Sequence, residues 1–279
     1  MHSLRISASS YSNTAPLVWS FLYGKNRGLV EVIMDTAPAR SAELLAQNRV
    51  DAALVPVIAY QMLDNVRLIP NVCVGARERV RSVCLVTKGM DLGDVRSVSL
   101  DVSSRTSVAL TKIIFREFLG FEPVWRDAEP DIEKMLTESD AALLIGDPAL
   151  ALSSPPYEGG VAASLGGRGG FSHGHRTFDL AELWHDHTGL GFVFAMWMTR
   201  RGAIDIDFPS ARDEGLAHID EIVANYESDI HIGPGEMNDY LLNNISYSID
   251  ENMQKGLGLY FKLARQHGLV EHDRPLDFI

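Results

Sequence analysis

Apolar positions along this 279-residue chain follow two periods, which alternate from the N-terminus onward. Short apolar runs predict strands, and apolar residues three or four positions apart predict helices between them. Because strand-like and helix-like segments alternate, the pattern predicts an α/β fold with largely parallel sheets. The predicted strands are 4–8, 30–34, 51–57, 82–87, 95–100, 122–125, 141–145 and 191–198. The predicted helices are 16–23, 41–47, 106–119, 131–138, 178–186, 211–226, 236–245 and 250–267.

Small or polar residues follow four of the predicted strands. They occupy 9–14, Pro56 and its neighbours, 103–107 and 146–147. Ligands of parallel α/β sheets bind at the carboxyl ends of the strands, so these four turns are the candidate site. In the third turn, hydroxyl residues open a helix, where unpaired N–H groups and the helix dipole favour an anion. The segment alone is equally typical of a plain capped helix.

Composition narrows the partners. The net charge is −12, which argues against nucleic acid and anionic membranes as partners but leaves a small anionic ligand open. We find no export signal and no apolar run of membrane-spanning length, so a cytoplasmic protein is expected. Cys73 and Cys84 lie in apolar runs and are expected to be buried thiols, although the sequence also permits a disulfide.

Several common chemistries lack their motifs. The sequence contains no phosphate-binding loop, nucleophile elbow or dinucleotide fingerprint, and no metal site is predicted. Residues 153–177 are rich in Gly, Ser and Pro and are predicted to form a long loop. His173 and His175 lie in this loop, and two histidines there are too few ligands for a metal.

Seven segments together resemble one family. They are 10–17, 51–56, 82–83, 100–107, 143–150, 178–180 and 188–197. The chain resembles the chorismate dehydratases of the futalosine-dependent menaquinone pathway, whose fold is similar to that of type 2 periplasmic binding proteins. The resemblance implies two lobes with mixed, mainly parallel sheets flanked by helices. Residues 1–88 and 191–279 would form lobe one and 89–190 lobe two, with crossing strands near 82–87 and 191–198 as the hinge.

The resemblance also implies the activity, which is dehydration of chorismate to 3-[(1-carboxyvinyl)oxy]benzoate without a cofactor. Asn13 and Asp147 are the candidate catalytic residues. The candidate substrate-binding residues are Ser10, Asn13, Pro56, Ser82, Ser103, Ser104, Thr106, Ser107, Gly146 and Asp147. The only partner implied is the small dicarboxylate substrate, with the protein a monomer or a homodimer. The alternative from another class is a solute-binding or sensor protein for a small carboxylate on the same fold.

Asp147 has two interpretations at this stage. It is the nearest carboxylate that could act as a base, but Asp before Pro is also typical of the N-cap of a helix at 148–152. The seven segments contain no His, Lys or Glu, so they offer no other strong base. We therefore expect a carboxylate of the substrate itself to take the proton, since a fixed intramolecular group has a high effective molarity.

Overall fold

Strand pairing divides the strands into two separate sheets. In the computed structural model, residues 3–154, 175–230 and 232–279 are described. The first sheet has the order β2-β1-β3-β10-β4 and the second β7-β6-β8-β5-β9. The strands are β1 (Leu4–Ser9), β2 (Val30–Asp35), β3 (Ala52–Pro56), β4 (Arg67–Ala76), β5 (Val83–Thr87), β6 (Ser97–Asp101), β7 (Val124–Ala128), β8 (Ala141–Ile145), β9 (Arg176–Asp179) and β10 (Phe192–Thr199).

Helices cover both sheets and explain the long apolar runs. β3 and β8 are buried at every position, as expected for parallel strands that are covered on both faces. The helices are α1 (Ala15–Leu22), α2 (Pro38–Ala46), α3 (Ala59–Met62), α4 (Arg105–Ile113), α5 (Ile132–Glu138), α6 (Gly146–Ser153), α7 (Leu180–Thr188), α8 (Phe208–Ala217), α9 (Ile219–Ile230), α10 (Pro234–Asp239) and α11 (Glu251–Gln266). Two of them, α4 and α10, continue as π-helical turns at Ile114–Leu119 and Tyr240–Asn244.

The chain passes between the sheets twice. It leaves the first sheet after Ala76 and enters the second at Val83, and it returns after α7 to form β10. β5 runs antiparallel to β8, and β10 runs antiparallel to β3, so each is embedded in one sheet. The connections themselves are residues 77–82 and 189–191. The division into two lobes stays a prediction. Strand pairing places β5 in the second sheet, although the predicted boundary at 88 would assign it to lobe one.

Two expectations need correction. The predicted helix 211–226 is two helices that meet at His218. The predicted loop 153–177 is too long, because Ser153 ends α6 and Arg176 begins β9 beside β5. Its central part, including His173, lies outside the described residues.

The prediction that both cysteines are buried thiols is confirmed. Cys73 lies in the first sheet and Cys84 in the second, and both are buried and free. No helix in the described ranges has the length and apolar character needed to cross a bilayer.

Candidate functional site

The four polar turns meet in one cleft between the sheets. Its lining includes the last residues of β1, β3 and β8 and the turn that follows β6, as parallel strand ends predict. The cavity measures about 60 Å³, room for a few water molecules. It is lined by Ser9, Tyr11, Asn13, Thr14, Pro38, Leu54, Pro56, Val74, Val83, Ser104, Thr106, Ser107, Ile145, Gly146, Phe194 and Ala195.

The N-terminus of α4 supplies the hydroxyl side of the cleft. Ser104 is the N-cap, and its Oγ accepts from Ser107 N–H at 3.3 Å. Thr106 Oγ1 accepts from Ile58 N–H at 3.3 Å, which ties α4 to the turn after β3. Ser104, Thr106 and Ser107 are all buried and line the cavity. Hydroxyls and a helix N-terminus at one spot form a binding place for an anion. Arg105 points outward, with Nη2 3.9 Å from Glu43.

Ser103 faces Asp101 instead of the cavity. Its backbone N–H and Oγ both donate to Asp101 Oδ1, at 2.9 and 2.6 Å. Burial raises the pKa of the Asp101 carboxyl, while the bonds from Ser103 act against that rise. Ser103 also interacts with the Tyr11 hydroxyl, whose pKa is raised by burial. Asp101 was part of a segment quoted above but was not recognised as a residue that supports the site.

Asn13 and Ser82 lie on either side of a tyrosine that the sequence did not indicate. The Tyr240 hydroxyl lies beside both side chains, and burial raises its pKa well above the usual range. Within the described residues, neither Ser82 Oγ nor Tyr240 Oη completes a well-aligned hydrogen bond, although both are buried. Asn13 lines the cavity and is 9% exposed. Together the three groups form a buried polar corner that holds uncommitted hydrogen-bonding capacity.

Gly146 lets the backbone of the second sheet approach the first. Its φ is +66°, and a Cβ there would lie 2.7 Å from the ring of Tyr11. Its N–H donates to the carbonyl of Ser82 at 2.7 Å. Gly146 therefore fixes Tyr11 as a wall of the cleft and Ser82 as its neighbour.

Asp147 does not cap its own helix. α6 begins at Gly146, and the Asp147 carboxylate turns to Ser12, accepting from the backbone N–H at 3.1 and 3.2 Å and from Oγ at 2.5 Å. It therefore caps the turn that leads into α1, on the other sheet. Burial raises the pKa of Asp147 to about 6, with Asp229 contributing in the same direction and the Ser12 bonds opposing.

Asp147 and Ser10 line a second cavity beside the cleft. This cavity measures about 450 Å³ and also includes Trp19, Tyr226 and Asp229. Asn13, Pro56, Ser104, Thr106, Ser107 and Gly146 line the cleft itself, whereas Ser10, Ser82, Ser103 and Asp147 are absent from its described lining. The roles assigned to all ten residues stay predictions.

The chemistry of the cleft is neutral. None of the described residues that line it is Asp, Glu, Lys, Arg or His. It presents hydroxyls, one amide, backbone N–H groups and apolar walls, which can bind and orient an anion but supply no strong base.

Comparisons with known proteins show the family of this chain. Residues 4–266 match the sequence profile of a family described as menaquinone biosynthesis. A chorismate dehydratase from Thermus thermophilus is 31% identical over 255 residues, which cover 88% of this chain and 90% of that protein.

Solved structures resemble the fold at low sequence identity. The periplasmic aliphatic sulphonate binding protein from Escherichia coli has a TM-score of 0.62 at 13% identity, covering 97% of this chain and 89% of that one. A Candida albicans protein described as having the generic periplasmic binding protein fold has a TM-score of 0.66 at 11% identity, covering 98% and 92%. The predicted fold class is thus confirmed.

Proposed function

The chain belongs to the menaquinone-biosynthesis family, and from that premise we propose that it is a chorismate dehydratase. It would convert chorismate to 3-[(1-carboxyvinyl)oxy]benzoate, the first step of the futalosine route to menaquinone. The observation that carries the proposal beyond the family match is the neutral cleft at the N-terminus of α4, which suits a carboxylate ligand.

The reaction depends more on how the substrate is positioned than on a strong acid or base from the protein. A proton leaves the ring carbon that bears the ether, and its bonding electrons form a ring double bond. The hydroxyl on the neighbouring carbon leaves with the electrons of its C–O bond, and proton and hydroxide together make water. Because the product ring is aromatic, the reaction is downhill without a cofactor.

We assign proton removal to a carboxylate of the substrate. The described cleft lining holds no charged side chain, and Asp147 is engaged with Ser12 outside that lining. A substrate carboxylate held against its own C–H has the high effective molarity of an intramolecular base. The protein then acts by holding the substrate in that conformation.

Different side chains bind different parts of the substrate. Ser104, Thr106 and Ser107 bind one carboxylate at the start of α4. Asn13 and Ser82 orient the reacting face and donate to the departing oxygen, since both lie at the buried polar corner with Tyr240.

Substrate entry requires the two sheets to separate. A cavity of about 60 Å³ is smaller than the several hundred Å³ typical of small-molecule sites. Ser12 with Asp147 and Ile58 with Thr106 join the two sides, so opening must break these contacts. Hinge closure around a ligand is a common motion in two-lobed proteins.

Turnover of chorismate tests the proposal. Purified protein should convert chorismate to an aromatic product, followed by absorbance and identified by mass spectrometry. Binding of chorismate without turnover would favour the solute-binding alternative instead.

The variant Asp147→Asn tests the assignment of the base. If the substrate removes its own proton, kcat should fall less than about tenfold, because the amide oxygen still accepts from Ser12. A collapse of kcat with unchanged substrate binding and an intact fold would identify Asp147 as the base.

A further inference from the structure

A strained turn precedes Ser82 in the first connection between the sheets. Ser82 N–H donates to the carbonyl of Val80 at 2.8 Å, which closes a three-residue turn around Arg81. Arg81 has φ +65°, a left-handed conformation that is costly for a residue with a Cβ. Such a residue persists only where its surroundings hold it.

The carboxylate of Asp179, the last residue of β9, holds this turn. Its Oδ2 accepts from Val80 N–H at 3.0 Å and from Arg81 N–H at 2.5 Å. Its Oδ1 accepts from Ala181 and Glu182 N–H at 2.9 and 3.2 Å and thereby caps α7. The side chain is buried, so few alternatives exist for these four donors.

The side chain of Arg81 extends the same support to Tyr240. Its guanidinium is buried and pairs with Glu236 on α10, with Asp239 at 3.7 Å. α10 runs directly into the π-helical turn that begins with Tyr240. The backbone of Arg81 therefore positions Ser82, and its side chain supports the helix that leads to Tyr240. Both groups belong to the buried polar corner.

We propose that Asp179 is a positioning residue for the reaction, which holds Arg81 in its left-handed turn and thereby sets Ser82 and Tyr240 in the buried polar corner beside Asn13. This inference rests on the proposed dehydratase activity. The segment 178–180 was part of the family resemblance, and no role had been assigned to it.

The variant Asp179→Asn separates the two tasks of the carboxylate. An amide has one accepting oxygen, so it can cap α7 or hold the turn but cannot do both. Asn is as good an N-cap as Asp, so we expect the cap to persist and the turn to loosen. The matched control is Asp131→Asn, because Asp131 caps α5 through Lys134 N–H and lies away from the cleft lining.

We expect kcat/KM of Asp179→Asn to fall about tenfold. A strained backbone residue costs on the order of 1 kcal/mol to hold, and losing that support would change kcat/KM by about this factor. Asp131→Asn should stay within about twofold of the unmodified enzyme, as a surface substitution away from the site. Hydrogen exchange should rise at the amides of Val80 and Arg81, while those of Ala181 and Glu182 stay protected. A purely structural role would lower the melting temperature and leave kcat/KM of the folded protein unchanged, which would overturn the inference.

Arg81→Gly gives a double-mutant cycle. Glycine adopts φ near +65° without strain, so the turn no longer needs Asp179. Loss of the guanidinium is common to both proteins that carry Arg81→Gly, so its effect cancels. In the Arg81→Gly background, Asp179→Asn should cost less than about threefold in kcat/KM, and equal losses in both backgrounds would contradict the proposal.

Two outcomes remain to be distinguished. If Asp179→Asn alone does not fold, the double variant should fold, and its failure would show that Asp179 acts by capping α7. If the unmodified protein does not convert chorismate, the proposed function fails, whereas hydrogen exchange at Arg81 still decides whether Asp179 holds the turn.

Discussion

At the scale of single residues, Asp147 is a half-buried carboxylate that lies outside the described lining of the cleft. Its partner is Ser12, in the turn that follows β1 of the other sheet, and not the helix in which Asp147 lies. Burial makes the ionised form costly, and hydrogen bonds from Ser12 only partly compensate, so the pKa rises from 3.8 to about 6. The pKa of the Asp147 carboxyl therefore lies closer to neutral pH than that of a free aspartate.

This rise predicts how stability depends on pH. The folded state binds the proton of Asp147 more tightly than the unfolded state, so the stabilisation is complete below about pH 4 and is lost as pH rises through about 6. The free energy of unfolding of Asp147→Asn minus that of the unmodified protein is the quantity to compare. This difference should rise by up to about 3 kcal/mol between about pH 4 and about pH 7. Urea denaturation of both proteins at the two pH values measures the shift. A difference that does not change with pH would contradict the prediction.

Gly146 and Gly189 form a matched pair for a second prediction. Both have positive φ, but a Cβ at Gly146 would meet the Tyr11 ring, while one at Gly189 would have no atom of the described residues within 4 Å. Gly189→Ala should cost about 1 kcal/mol of stability and leave turnover unchanged, because only backbone strain is added. Gly146→Ala should cost more and lower kcat/KM by at least about tenfold, because Tyr11 is displaced within the cleft. Equal effects on turnover would show that Tyr11 is not a wall of the site.

At the scale of elements, α4 brings its N-terminal turn to the cleft. Ser104 fixes where the helix begins, and the two residues after Arg105 turn their hydroxyls to the cleft. The helix then changes to a π-helical turn at Ile114, far from the cleft end. Within the described cleft lining, α4 is thus represented only by its first turn and N-cap, and the rest of the helix packs against the core.

Two hydroxyls on α4 test this division. Ser107 lines the cleft, whereas Thr111 donates to the carbonyl of Ser107 at 2.8 Å and lies outside the cleft lining. Ser107→Ala should lower kcat/KM about 10- to 100-fold, mainly through KM, because a hydrogen bond to a carboxylate is lost. Thr111→Val should stay within about threefold. Steady-state kinetics with chorismate compare the two, and a larger loss for Thr111→Val would refute the assignment.

The elements also show how far the sequence could lead. The run 141–145 was predicted with its observed bounds, because polar Asp140 precedes it and Gly146 ends it. β9 was not predicted because it is a strand only through its pairing with β5, and no local sequence pattern encodes that contact. The break at His218 was missed because both flanking helices carry apolar residues in a compatible period.

The candidate site was predictable only where its residues lie in motifs. Asn13, Ser104 and Thr106 follow strands and were found, and the structure brings them together. Tyr240 comes from a helix far along the chain, and its hydroxyl reaches Asn13 only through tertiary packing. Asp147 before Pro148 matched a local capping pattern, but the competing donor was Ser12 on another sheet.

At the scale of the whole molecule, the overall charge and the cleft are mismatched. The chain carries a net charge of −12, while the described cleft lining carries none. Chorismate, the dianionic substrate proposed above, would therefore approach a repelling surface before it reaches the neutral cleft.

Salt should reveal this repulsion. Raising the ionic strength from about 0.01 to about 0.15 M, on the order of a fourfold shorter screening length, should increase kcat/KM for chorismate about twofold and leave kcat unchanged. Initial rates at constant pH over this range measure the effect. A fall in kcat/KM would mean that a locally positive field guides the substrate.

The strands of the second sheet all come from one uninterrupted stretch, between the first connection at 77–82 and the return at 189–191. A single exchange of coding sequence between two such proteins could replace that entire stretch and leave the first sheet's own pairing intact. Six of the sixteen described residues of the cleft lining, including those at the start of α4, would travel with it. Recombination at two short segments is therefore a route by which this architecture can acquire a new specificity in one step.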